Sequence, residues 1–366
     1  MPRKPIDSRG AIMLDHAGWC LLQARRPARP EFPNGVTVSK SILCLAAVAV
    51  AAGVCSRCWA DPTTITLGAS HDATIFQNNV NNGSGGGNIL ISGTNGAQIS
   101  PRRALIEFDI AGQVPAGSLI QQVQLTLVLG QFPNVGAQPT STIGLHRVLV
   151  DWGEGTTQQQ IPPNDTFGGF GQGEPATEGD VTWNARFFSA TTPTLWATPG
   201  GEFAPTAGAL TVVSRNLNTG YVWSSTPTLV SDVQSWLDVP STNFGWLLLN
   251  IDETTPATFR GFYSRHVATE ALRPVLSITY LLAGDFDGSG VVAGPDFVNW
   301  KGGFGTNAGA SHMQGDANGD GDVDGRDFLV WQQQFGAGAA ASAAPEPGSA
   351  MLAWFCAAVF CRRVQR

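Results

Sequence analysis

The sequence predicts a mainly β protein: a jelly-roll β-sandwich over residues 61–280, then a small α-helical module over 284–336. Three observations carry this reading. Short apolar–polar alternations, punctuated by Gly and Pro, recur through the first region, which contains one clear helical period. Two copies of one Asp/Gly-rich layout, at 284–305 and 315–336, lie 31 residues apart. Each copy closes on the same aromatic spacing.

Both ends of the chain differ in character from the body. Residues 42–54, ILCLAAVAVAAGV, form an apolar run the length of a signal-peptide core, behind Lys40 and ahead of a small residue at Ala60. Residues 1–60 are therefore read as a leader, with Val36 or Val38 as an alternative start. At the other end, Pro345-Glu346-Pro347 precedes a short apolar stretch and three arginines, Arg362, Arg363 and Arg366. Such a tail stops in a membrane with its basic end in the cytoplasm. The body is thus expected outside the cytoplasm, in the cell envelope or beyond it. Residues 61–344 contain no cysteine, so a disulfide, a thiolate metal site and a cysteine nucleophile are all excluded there. The same residues carry 10 basic and 24 acidic side chains, a surface unsuited to nucleic acid phosphates.

Each element of the body follows from its pattern. In SLIQQVQLTLVLG, Val123, Leu125, Leu127 and Leu129 point one way and Gln122, Gln124 and Thr126 the other. In ALIEFDI, Ile106, Phe108 and Ile110 share a face opposite Glu107 and Asp109. FGWLLLNID and RPVLSITY read as more buried strands. TPTLVSDVQSWLDV is the helix, placing Leu229, Val230, Val233, Trp236 and Leu237 on one face after a Thr-Pro start. The Asn/Gly run FQNNVNNGSGGGN reads as a loop, because no helix follows it to make a phosphate cradle.

Several short segments together resemble the DNRLRE, or disaggregatase-related, domain grouped with carbohydrate-binding modules. They are DATI from Asp72, RALIEFDI from Arg103 and LHRVLVDWGEG from Leu145, then GDVTWNA from Gly179, NFGWLLLN from Asn243 and FYSRH from Phe262. The resemblance spans nearly all of residues 70–280 and implies a jelly-roll sandwich on a secreted, polysaccharide-associated protein. It supplies no residue-level binding motif. On physical grounds, a glycan site needs an aromatic shelf and hydrogen-bond donors. Trp236 and Trp246 lie on apolar faces and are expected in the core, whereas Trp152 and Trp223 have polar neighbours and are candidates for an exposed rim. Arg147, Arg186, Arg260 and Arg265 are candidate contacts to an acidic polysaccharide, should they share a face. His71, His146 and His266 are too scattered to suggest a metal site. Asp151 and Glu154 could in principle serve a lyase or hydrolase, but no catalytic motif accompanies them, and the expectation is a non-catalytic protein.

The doubled stretch carries the sharpest chemistry. Counting from Asp316, oxygen-bearing residues fall at positions 1, 3, 5, 7, 9 and 12: Asp316, Asn318, Asp320, Asp322, Asp324 and Asp327, with Gly321 at position 6. Calcium takes six to eight oxygens, and this spacing wraps them around one ion, position 7 giving its backbone carbonyl. The first copy places Asp285, Asp287, Ser289, Val291, Ala293 and Asp296 at the same positions. Two calcium ions are therefore expected, the second loop binding more tightly. Each loop is followed by an i, i+3, i+7 aromatic stripe: Phe297, Trp300 and Phe304, then Phe328, Trp331 and Phe335. Neither half can bury its stripe alone, so the two should pack together. Residues 284–336 resemble a type I dockerin module. Its usual Ser-Thr-like recognition pair is replaced by Gly294-Pro295 and Gly325-Arg326, which argues against a cohesin-type partner. The tail over 345–366 resembles the PEP-CTERM sorting signal, which implies processing by an exosortase-type membrane enzyme, with residues 337–344 as an Ala/Gly linker.

Overall fold

The structure, a computed structural model, describes residues 62–96, 99–158 and 172–338. The leader, most of the linker and the sorting tail lie outside the described residues. Along the chain come β1 (Thr63–Gly68), β2 (His71–Phe76), β3 (Asn82–Gly83), β4 (Ile89–Thr94) and β5 (Pro101–Glu107). The long β6 (Leu119–Gln131) and β7 (Ser141–Arg147) follow, then the short β8 (Glu174–Pro175), β9 (Ala185–Phe187) and β10 (Thr194–Leu195). Next are β11 (Ala209–Val213), β12 (Gly220–Trp223), helix α1 (Pro227–Asp238), β13 (Trp246–Asn250), β14 (Arg260–Tyr263) and β15 (Val275–Leu281). Helices α2 (Gly294–Gly303) and α3 (Gly325–Gln334) end the described chain. Among the described residues, no helix is long and apolar enough to cross a membrane.

The protein is mainly β, built on one curled antiparallel sheet of eleven strands. The hydrogen-bonded order is β1-β15-β6-β14-β4-β5-β13-β7-β11, with β12 also on β6 and β2 also on β5. Strand β6 drives the curl by changing partners along its length. It pairs with β15 from Leu119 to Thr126, with β12 from Leu125 to Val128, and with β14 at Leu129 and Gln131. β14 passes the sheet on to β4, and β4 meets β5 at Gly93 and Thr94.

The alternation in β6 produces its buried face. Val123, Leu125, Leu127 and Leu129 are buried in the main core, with Gln122 and Gln124 exposed opposite them. The pattern slips once. Thr279 faces Gln122 while Tyr280 faces Ile120, so Gln121 is an extra residue, a β-bulge that turns both Ile120 and Val123 inward. Helix α1 closes the same core. The Thr226 hydroxyl accepts from the Leu229 amide as N-cap, Pro227 starts the helix, and Leu229, Val233, Trp236 and Leu237 are buried. The rings of Trp236 and Trp246 meet edge-on at 4.6 Å.

A second apolar layer has no counterpart in the sequence reading. Strands β2, β5 and β13 are buried on both faces: Ala104, Ile106, Trp246 and Leu248 join the main core, and Ala73, Leu105 and Leu247 face the other way. The long, largely irregular segment after β7 folds over that outer face and buries Val148, Trp152, Val181, Trp183 and Trp196 against it.

Two substitutions test this packing. Trp223→Ala removes a fully buried indole and should cost about 3–5 kcal/mol. Thr226→Ala should cost only about 1 kcal/mol, the worth of an N-cap. Urea unfolding of the two variants should reproduce that ranking.

Candidate functional site

In each Asp/Gly loop, the first and last carboxylates draw backbone N–H groups inward. Asp285 accepts from the amides of Ser289 at 3.0 Å and Gly290 at 2.8 Å, and Asp316 from those of Gly319 at 2.7 Å and Gly321 at 2.9 Å. Asp296 accepts from Asp287 and Ala293, while Asp327 accepts from Ala317, Asn318 and Asp324. All four of these aspartates are buried. At position 6 the chain turns through the left-handed region, at Gly290 (φ +81°) and Gly321 (φ +85°), where a side chain would be strained. In the first loop, carboxylate oxygens of Asp285, Asp287 and Asp296 lie within 4.8 Å of one another. Burial pushes the Asp285 carboxyl above its ordinary pKa, as expected when a carboxylate leaves water beside others.

At positions 3 and 5 the two loops share a pattern, Asp287 and Asn318 accepting from the amides of Ser289 and Asp320, and Ser289 and Asp320 from those of Val291 and Asp322. Ser289 donates to the carbonyl oxygen of Val291, putting the oxygens of positions 5 and 7 side by side. The Asp322 side chain turns away to accept from Ala308, leaving its carbonyl for the loop. Asp324 caps α3 by accepting from the Arg326 amide.

The two halves interlock. Phe297 lies 6.0 Å from Phe328 and 5.1 Å from Trp331, and Trp300 lies 4.9 Å from Phe328. The indole of Trp300 donates to the Asp324 carbonyl, and that of Trp331 to the Ala293 carbonyl, both at 3.0 Å. Each helix thus holds position 9 of the other loop. Position 8 is buried in both copies, as Val292 and Val323. The amide of Val323 donates to Thr306 beyond α2, and that of Val292 to Ala337 beyond α3. The last ring of each stripe, Phe304 or Phe335, stays exposed.

The repeats are also joined to the body. Val292 belongs to the main core cluster, with Trp331 packed against it. Gln334 is buried at the seam, donating to the Ala116 carbonyl at 3.1 Å and accepting from the Gly284 amide at 2.8 Å. Nothing in the pattern of the repeat itself marks Gln334 for this role, because both of its partners lie outside the helix.

The expected sugar platform is not where the sequence suggested. Trp152 is buried in the second apolar layer, its indole donating to the Phe244 carbonyl at 3.0 Å. Trp223 has no exposed surface; it donates to the Ile143 carbonyl at 2.8 Å and packs edge-on against Phe262. Polar neighbours misled in both cases. Trp223 takes the inward side of a strand whose other residues remain accessible, and Trp152, on the covering segment itself, is turned inward into the second apolar layer. The arginines do not converge. Arg260 is fully buried and donates to the carbonyls of Ser214, Thr258, Phe259 and Gln138. Arg147 bonds Ser235 and Asp232 beneath the Trp236 ring, and Arg186 bonds the Asp151 carbonyl beside Phe187. Arg265 grips both oxygens of Glu154, at 2.7 and 2.6 Å.

The crossed indole bonds make a prediction. Trp300→Phe and Trp331→Phe should each cost about 0.5–1.5 kcal/mol, the net worth of one hydrogen bond, and by similar amounts because the contacts are equivalent. Denaturant unfolding of the full chain checks both. Comparison with known proteins adds no assignment: no family model matches the chain, and no curated protein matches it.

Proposed function

We propose that the chain is an exported, non-catalytic surface protein whose C-terminal repeats form a dockerin-like module folded around two calcium ions. The observation that carries this reading is the burial of four aspartates in two matching loops whose amides turn toward them. Hard oxygens in that number and order fit calcium. In the first loop Asp285, Asp287, Ser289, the Val291 carbonyl and Asp296 would hold the ion; in the second, Asp316, Asn318, Asp320, the Asp322 carbonyl, Asp324 and Asp327. The ion supplies countercharge and so folding energy.

The body's role, in this proposal, is binding to or retention in a polysaccharide-rich envelope, with delivery and exosortase-type processing directed by the leader and tail. With Trp152 and Trp223 internal, a glycan would use the open cleft of about 470 Å³ lined by Arg103, Leu149, Pro199, Glu202 and Phe203. The second reading is a structural or adhesive envelope protein that binds no sugar. The burial of both candidate tryptophans favours it.

Affinity electrophoresis in gels containing alginate, pectin or a neutral glucan separates the two. Retardation supports the glycan role, and salt-sensitive retardation by the acidic polymers alone points to a charged ligand. Equal mobility in every gel supports the structural role. For the repeats, chelation by EDTA should open residues 284–336 to limited proteolysis, while calcium should protect them. Asp316→Ala should weaken calcium binding more than Asp287→Ala, because Asp316 is buried and organises two amides whereas Asp287 is exposed.

A further inference from the structure

We propose that Asp72, Glu154 and His266 form a third cation site, on the body rather than the repeats, for a first-row divalent ion such as zinc or manganese. The three residues come from separate places: Asp72 from β2, Glu154 from the segment after β7, and His266 from the loop after β14. Each offers a ligand atom, and these atoms lie within 4.8 Å of one another.

A second observation is independent of that proximity. Asp72 is 1% exposed, and its Oδ1 has no hydrogen-bond partner. Its other oxygen accepts from the Arg265 amide at 2.7 Å. A buried carboxylate oxygen with no donor is costly, and native structures rarely leave one without a partner. A cation at this point supplies what the protein does not.

The surroundings are built for it. Glu154 is held by the guanidinium of Arg265 and by the Asp72 amide, which donates to its Oε1 at 2.8 Å. Its backbone is wedged in place: a Cβ on Gly155 (φ +72°) would fall 1.5 Å from Asp180, and one on Gly85 would fall 1.8 Å from the Glu154 carbonyl oxygen. Only glycine permits that approach. The Arg265 guanidinium bonds Glu154 alone, and Asp72 receives only the Arg265 backbone amide, so no cationic side chain is bonded to the Asp72 carboxylate. Arg265 then serves as the outer partner that orients Glu154. His266 brings its Nε2 to 3.4 Å from Glu154 Oε1 and is about one-third exposed, which gives an ion a path from solvent. Calcium and magnesium prefer oxygen alone, whereas one imidazole with two carboxylates suits zinc or manganese.

The test measures metal content of the full chain by plasma mass spectrometry, after loading with zinc or manganese and dialysis against excess calcium. Wild type should retain a single first-row ion. Exposed His266→Ala should lower its affinity by about tenfold or more, and Asp72→Asn should do the same. Glu270→Gln, an exposed side chain in the same loop that does not reach the cluster, should leave it unchanged. Zinc should raise the melting temperature of wild type and not of His266→Ala. Absence of the ion from wild type, its full displacement by calcium, or equal content in His266→Ala would overturn the site.

Discussion

Four buried aspartates, Asp285, Asp296, Asp316 and Asp327, set the terms for the C-terminal part of this structure. A carboxylate taken out of water costs several kcal/mol unless it is paired and hydrogen-bonded. The loops answer half of that demand with backbone amides, which is why the chain wraps around these side chains and must turn left-handed at Gly290 and Gly321. Amides orient the carboxylates but leave their charge in place. In the proposed reading a calcium ion in each loop removes it, and the repulsion within the loops is what would make the fold depend on that ion.

The rest of the C-terminal architecture depends on the loops. Position 8 of each, Val292 or Val323, turns inward only when the loop has its shape. Position 9 presents the carbonyl that the opposite helix's tryptophan takes, so neither loop can open without releasing its partner. Because Val292 also lies in the main core and Gln334 bonds across the seam, the repeats are continuous with the β body rather than a bead on a string. Loss of countercharge should therefore be felt at Ala116 and Ser118, the body's side of that seam.

Much of this was legible in the sequence. Alternation in β6 reported its inward face because from Gln122 to Val128 that strand is buried on one side only, and the Thr-Pro start of α1 reported a real cap. The Asp spacing was legible because a twelve-residue loop is a local object. What escaped was non-local. Trp152 is flanked by Asp151 and Gly153 and reads as surface, yet the irregular segment that carries it folds back over β2, β5 and β13 and buries it there. Arg260 reads as a free cation, yet four backbone carbonyls surround it. Likewise His266 looked isolated, since Glu154 lies 112 residues away along the chain and meets it only in the fold. Periodicity reports which face of an element is apolar; it says nothing of what arrives later to cover the polar one.

Calorimetric titration of the metal-free full chain with calcium addresses the central claim most directly. Two binding events per chain, the tighter one abolished by Asp327→Asn and the weaker by Asp296→Asn, are the predicted result. Absence of binding heat, with far-ultraviolet circular dichroism identical in calcium and in EDTA, would contradict it.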